Sequence, residues 1–128
     1  MTFKFSESSI NRMRGVDDRL QDIAHEALRI SPIDFGIPET GGLRSVEVQE
    51  YLYNSGRSKA DGRLKRSYHQ TGKALDVYAY VDGKASWDKA HLTTVATAMM
   101  QAAMNQGVKI EWGGLFQSFL DMPHFQVK

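Results

Sequence analysis

Ser67-Tyr68-His69-Gln70-Thr71-Gly72-Lys73-Ala74-Leu75-Asp76-Val77-Tyr78-Ala79-Tyr80-Val81 changes character halfway along. The first part is polar and can turn back at Gly72, a residue that tolerates positive φ. The second part alternates. Leu75, Val77, Ala79 and Val81 point one way, and Ala74, Asp76, Tyr78 and Tyr80 the other, which is the period of a half-buried strand. One face makes core, the other displays Asp76, and Asp82-Gly83 closes the strand with a turn. His69 and Asp76 are too far apart for one helical turn, so they meet only if the loop between them returns.

Upstream, Met13, Val16, Leu20, Ile23, Ala24, Ala27 and Leu28 recur at three- and four-residue steps, predicting a first helix that ends near Ser31-Pro32. His25 falls on its polar face and reads as a solvated histidine. Phe35 to Thr40 looks extended, with Pro38 suiting an edge. Ser45 is a good N-cap and Gly56 a good stop for a second helix, with Val48, Leu52, Tyr51 and Tyr53 as its candidate buried side. Arg57 to Arg66 carries five basic residues and one acid with little hydrophobic pattern, and reads as a solvated loop.

Downstream, a third helix is expected from about Trp87 to Gln106, with Leu92, Val95, Ala96, Met99, Met100 and Ala103 inward and Gly107 as its C-cap. Met104 is read as core filler with Met99 and Met100, and His91 as a surface or half-buried structural residue. Val108, Ile110 and Trp112 mark another strand, and His124 to Val127 a last one, with His124 and Gln126 on its polar face. Helices and short strands in irregular order predict an α+β fold: a small, mostly antiparallel sheet packed with about three helices, its polar face carrying the site.

The 128 residues suit a single domain spanning 1–128, with enough chain for one core. The absence of cysteine excludes thiolate zinc fingers, cysteine nucleophiles and disulfides, so a metal must sit on histidine and carboxylate. Sixteen basic against fifteen acidic residues leave no field for nucleic acid or an anionic membrane. No apolar run approaches the ~20 residues of a membrane span, and Met1 to Ser6 lacks the apolar region of a secretory signal, so a chain made in the cytoplasm is expected.

Catalytic zinc takes three protein ligands and keeps a fourth position open. His69, Asp76 and His124 are the three candidates, the last adjacent to Asp76 if the two strands pair. Asp121, three residues before His124, is a candidate general base, stiffened by Pro123. A structural turn would explain His69 and Asp76 taken alone, a loop carboxylate would explain Asp121, and Glu111, a rival base, reads as an ordinary cross-strand ion pair beside Lys109. The combination of two histidines, two carboxylates and suitably placed glycines favours the metal site.

At these residues the chain resembles the zinc D,D-carboxypeptidase and L-alanyl-D-glutamate peptidase family, which includes many phage endolysins. Ser67, His69, Gly72, Ala74 and Asp76 match its Ser-x-His-x-x-Gly-x-Ala-x-Asp signature, and Asp121 with His124 matches its acid-x-x-His. Gly42-Leu43-Arg44-Ser45 with Gln49 looks like the family's arginine segment, and Trp112-Gly113-Gly114 precedes the tail. The resemblance implies one zinc ion per chain on His69, Asp76 and His124, with Asp121 as base. It also implies that Arg44 and Ser67 bind substrate, with Arg44 stabilising the oxyanion or clamping a carboxylate; Arg57 is a weaker candidate for that arginine.

An aspartate before the last histidine leans toward the phage-type endopeptidases. These would cut the L-alanyl-D-glutamate bond of the peptidoglycan stem peptide as monomers without stable membrane association, reaching the wall once the membrane is permeabilised. The Arg57–Arg66 loop could meet wall carboxylates. A D-alanyl-D-alanine carboxypeptidase or dipeptidase on the same site, and a non-catalytic zinc-containing wall-binding module, are the alternatives.

Overall fold

The computed structural model describes residues 3–128. Among them are four α-helices: α1 (Glu7–Arg12), α2 (Asp18–Ile30), α3 (Val46–Asn54) and α4 (Lys89–Asn105). Six short strands, β1 (Asp34–Gly36), β2 (Ala74–Asp76), β3 (Tyr78–Val81), β4 (Lys84–Ser86), β5 (Glu111–Trp112) and β6 (His124–Gln126), form two antiparallel sheets ordered β1-β3-β4 and β2-β6-β5. The α+β class holds, with one more helix and one more sheet than the sequence pattern predicts.

The expected first helix is broken. Met13 to Leu28 are buried wherever the stripe predicts, but Met13 and Val16 lie in a link between α1 and α2. Asp17 causes the restart: its carboxylate accepts from the Arg19 backbone N–H at 2.9 Å, and its own N–H donates to Gly72 O at 2.8 Å. The cap thus ties α2 to the loop that follows His69. Arg19 Nε and Nη2 and Lys73 Nζ also donate to the Asp17 carboxylate, at 3.0, 2.9 and 3.2 Å.

These bonds, Arg19 first, hold the Asp17 carboxyl well below the usual carboxylate range. Its stabilisation is therefore fully present above the unfolded value of about 3.9 and is lost as pH falls through the lower folded value. Asp17→Ala should cost about 1 kcal/mol at neutral pH. In urea titrations between neutrality and about pH 3, the gap between wild type and variant should narrow below about pH 4; a gap independent of pH would remove Asp17 as its source.

The single expected strand across Ala74 to Val81 is two. Val77 sends its N–H to Pro123 O at 2.9 Å, and the chain passes there from one sheet to the other, although the alternation survives with Leu75, Val77 and Ala79 all buried. Of the expected extended stretch Phe35 to Thr40, only its start belongs to a strand, β1, and the strand expected over Val108 to Trp112 is reduced to β5. On α3, Ser45 caps as predicted, but Val48, Tyr51 and Tyr53 are exposed, and the buried residues are Leu52 and Gln49. Met104, at 72% exposure, lies outside the core that Met99 fills. Helices α2 and α4 pack on each other and α4 packs on β3, and their apolar residues share one core with Leu75, Ala79, Phe125 and Val127.

Candidate metal centre

Strands β2 and β6 pair with Asp76 directly opposite His124 and Leu75 opposite Phe125. Leu75 and Phe125 are fully buried. A one-residue slip would put Phe125 on the polar face and His124 in the core, so burial of the apolar pair sets the register of the polar one. His69 arrives from a 3-10 turn, Tyr68–Thr71, capped by Ser67 and Gln70 in a reciprocal box. Gly72 ends the turn at φ 73, and a Cβ there would run into the Gly15 carbonyl, so only glycine brings the chain back toward β2.

His69 Nε2, His124 Nδ1 and Asp76 Oδ1 converge. The carboxylate oxygen is 3.2 Å from each nitrogen, and the nitrogens are 3.3 Å apart. A tetrahedral zinc with bonds of roughly 2.0–2.1 Å has ligand–ligand edges of about 3.3 Å, so the triangle fits one face of that tetrahedron.

The outward nitrogens strengthen the fit. His69 Nδ1 lies 3.0 Å from Gly42 O, which can only accept, and His124 Nε2 lies 2.7 Å from Gln126 Oε1. Each ring's proton is therefore assigned outward, leaving lone pairs on both inward nitrogens beside a carboxylate. Three acceptors facing one another repel unless a cation sits among them.

A further layer of contacts supports these groups. Gln126 Nε2 donates to Glu111 Oε1 at 2.9 Å, and that bond lowers the Glu111 pKa; Lys128, not Lys109, is its ion-pair partner, at 3.7 Å. Glu111 therefore orients the amide that orients His124, and its pair with Lys128, just past β6, is the cross-strand ion pair expected of it. Only the face shared by His124 and Gln126 hinted at this relay in the sequence. Gln126→Leu should weaken zinc binding by about 10–100-fold in chelator competition, with the fold retained; unchanged affinity would show that the relay has no hold on the metal.

Arg44 is mostly buried, its side chain 10% exposed, and donates from Nη2 to Asp76 Oδ2 at 3.1 Å, from Nη1 to Gln49 Oε1 at 3.1 Å and from Nε to Thr40 O at 2.7 Å. Burial lowers its pKa, and the charges of Asp76 and Asp121 oppose that. When no metal is bound a proton can stand in for the cation: burial works against ionised Asp76, but positive charge at His69 and His124 and the hydrogen bonds those rings then donate prevail and hold the carboxyl far below its ordinary range. For His124, burial disfavours the cation, whereas Asp76 more than compensates and raises the pKa.

Asp121 sits beside this group, its Oδ2 3.8 Å from His124 Nδ1 and its side chain 38% exposed. Burial and the charge of Asp76 raise its pKa. Its backbone N–H donates to Gly113 O at 2.9 Å, Trp112 Nε1 donates to Met122 O at 2.7 Å, and a Cβ on Gly113 would overlap the Asp121 carbonyl. The Trp112-Gly113-Gly114 stretch thus holds the loop that presents Asp121.

Arg44, Ser67, His69, Asp76, Asp121 and His124 line one cleft of about 690 Å³. Ser67 serves visibly as the cap of the His69 turn, its Oγ accepting from the His69 N–H at 3.2 Å. Arg57 also lines the cleft, with its guanidinium over the Tyr51 ring. His25 lies apart, exposed and edge-on to Phe5, and His91 is half-buried with Nδ1 2.7 Å from Ser86 Oγ. Gln49, whose role only the fold reveals, is fully buried and joins Arg44 to Ser58 Oγ and Ala60 O, both at 2.8 Å.

A sequence model of the family described as phage L-alanyl-D-glutamate peptidase matches residues 1–126. The L-alanyl-D-glutamate peptidase of Escherichia phage T5 is 35% identical over 114 residues, covering 88% of this chain and 81% of that protein. The peptidoglycan L-alanyl-D-glutamate endopeptidase CwlK of Bacillus subtilis (strain 168) is 29% identical over 113 residues, 80% of this chain and 68% of that one. The crystal structure of the Serratia marcescens L-Ala D-Glu endopeptidase ChiX superposes with a TM-score of 0.86 at 36% identity, covering 98% of this chain and 90% of that chain.

Proposed function

The chain belongs to the phage L-alanyl-D-glutamate peptidase family, and on that premise we propose that it hydrolyses the L-alanyl-D-glutamate amide bond of the peptidoglycan stem peptide. Residues 1–128 act as one catalytic domain and as a monomer, with one zinc ion on His69, Asp76 and His124. The observation that carries this reading is the triangle of inward lone pairs at zinc-like spacing, with Asp121 beside it in the cleft.

Zinc held there would supply Lewis-acid chemistry, polarising a carbonyl oxygen and lowering the pKa of water to roughly 7. Asp121 takes the proton from the attacking water as the C–O bond forms, then passes it to the departing nitrogen as the C–N bond breaks. Arg44 has five N–H donors, three of them engaged in the fold, so those remaining can reach the substrate's carbonyl oxygen or a carboxylate. Ser67 keeps the His69 turn in place and offers a hydroxyl to the cleft.

No helix among the described residues is long and apolar enough to cross a membrane. The enzyme would reach the wall once another agent has opened the membrane.

The test is mass spectrometry of purified peptidoglycan fragments digested by the zinc-loaded protein. New L-alanine carboxyl ends and D-glutamate amino ends are expected. Release of D-alanine instead would move the reading to a D,D-carboxypeptidase on the same site. Stoichiometric zinc with no cleavage would leave a wall-binding module.

A further inference from the structure

The cleft that holds the metal group has an uneven charge distribution. One wall is the segment from Arg57 to Ser67, and it contributes Arg57, Lys59, Lys65 and Arg66 to the lining. All four are exposed, and none has an ion-pair partner among the described residues. The fifth cation of the segment, Arg63, is bound to Glu50 at 2.8 Å and is absent from the lining. The segment's one acid, Asp61, is occupied by the backbone N–H groups of Arg63, Leu64 and Lys65, at 2.9–3.0 Å.

This wall is built rather than loose. Buried Gln49 holds it through Ser58 Oγ and Ala60 O, and buried Gln70 through Gly62 O at 2.9 Å. Lys59 Nζ lies 5.5 Å from the ring centroid of Phe119, which also lines the cleft and comes from outside this segment. Within the cleft the carboxylates are Asp76, already paired with Arg44, and Asp121. The chain as a whole is nearly neutral, so this concentration of unpaired cations is local.

Resting on the endopeptidase reading, we propose that this wall is a carboxylate subsite which selects stem peptides carrying free carboxylates close to the scissile bond. In such a peptide D-glutamate is linked onward through its γ-carboxyl. Its α-carboxyl therefore stands on the carbon that bears the scissile nitrogen, either free or capped as an amide. The next residue supplies a second carboxylate when it is a diaminopimelate and none on its side chain when it is lysine. Exposed ion pairs are individually weak, and several cations held by one rigid wall add to a useful preference that salt screens.

The experiment uses three synthetic stem peptides: D-glutamate with a free α-carboxyl followed by diaminopimelate, the same peptide with that α-carboxyl amidated, and the first with lysine in place of diaminopimelate. Wild type and the Lys65→Gln/Arg66→Gln double variant are compared by kcat/KM, with zinc content and melting temperature as controls on folding. Wild type is expected to prefer the first peptide by about tenfold over one or both of the others, chiefly through KM. Whichever partner shows the larger ratio identifies the carboxylate that is read. The ratio should fall toward one in the double variant and at high ionic strength.

Equal rates on all three peptides, or an undiminished ratio in the folded double variant, overturn the subsite while leaving the endopeptidase reading intact. Cleavage of none of them by zinc-loaded wild type overturns both.

Discussion

Asp121→Ala is expected to hold zinc as wild type does, to melt within a few degrees of it, and to hydrolyse the stem peptide about a thousandfold more slowly. The expectation of an intact fold comes from the contacts of Asp121. Its position is set by backbone bonds, the N–H to Gly113 O and the carbonyl from the His124 N–H at 3.1 Å, and alanine preserves both. Its carboxylate makes no bond that the fold needs; its nearest partner is His124 Nδ1, at 3.8 Å. What the substitution removes is the carboxylate proposed to accept the proton of the attacking water.

Turnover should fall through kcat with KM little changed, since a base acts in the transition state. Single-turnover kinetics on zinc-loaded protein check this. Activity within tenfold of wild type would exclude Asp121 as the base. Glu111 would not inherit the role, because its carboxylate is engaged by Gln126 behind His124.

Asp76→Ala should fail twice, by losing zinc and by losing stability. Asp76 Oδ1 faces the two imidazoles, while Oδ2 accepts from Arg44, so one carboxylate serves the metal group and neutralises a mostly buried guanidinium. Removing one partner of a buried pair typically costs about 3 kcal/mol or more, because the other charge stays behind uncompensated.

The two losses separate in a double variant. Asp76→Ala/Arg44→Met should recover much of the melting temperature while binding no more zinc than the single variant. Metal analysis after dialysis and thermal melts in chelator read the two effects independently. Wild-type zinc affinity in Asp76→Ala would strike Asp76 from the ligand set. A double variant no more stable than the single one would show that the Arg44 charge is not what destabilises it.

The grouping of His69, Asp76 and His124 was legible because it is written in local spacing. His69 and Asp76 flank a glycine that can take positive φ, and Asp76 and His124 each begin or end a short alternating stretch whose apolar neighbours must be buried. The N-cap Ser45, the left-handed Gly107 that follows the C-cap Gln106 of α4, and the Asp82-Gly83 turn were likewise readable, since each depends on a residue's own backbone preference or on a bond to a near neighbour.

Other features were not legible. Nothing in the run Ala74 to Val81 announces that the chain changes sheet at Val77, because both halves keep the same alternation and the change is made by Pro123, far along the chain. The apolar stripe from Met13 to Leu28 reads as one helix because burial has the same spacing on both sides of the break. The break itself depends on Gly72 accepting the Asp17 N–H.

The sequence alone determined the α+β class, the exclusion of thiolate chemistry, and the candidate ligands and base, because periodicity, turn residues and donor types are properties of short stretches. Only the tertiary structure decided that the two imidazoles direct their lone pairs inward, that Arg44 closes on Asp76, that Gln49 anchors a cationic wall, and that Glu111 supports His124 through Gln126. All but the short His124–Gln126 bond join residues 11 or more positions apart, and a hydrogen bond depends on a distance and an angle that no local pattern encodes.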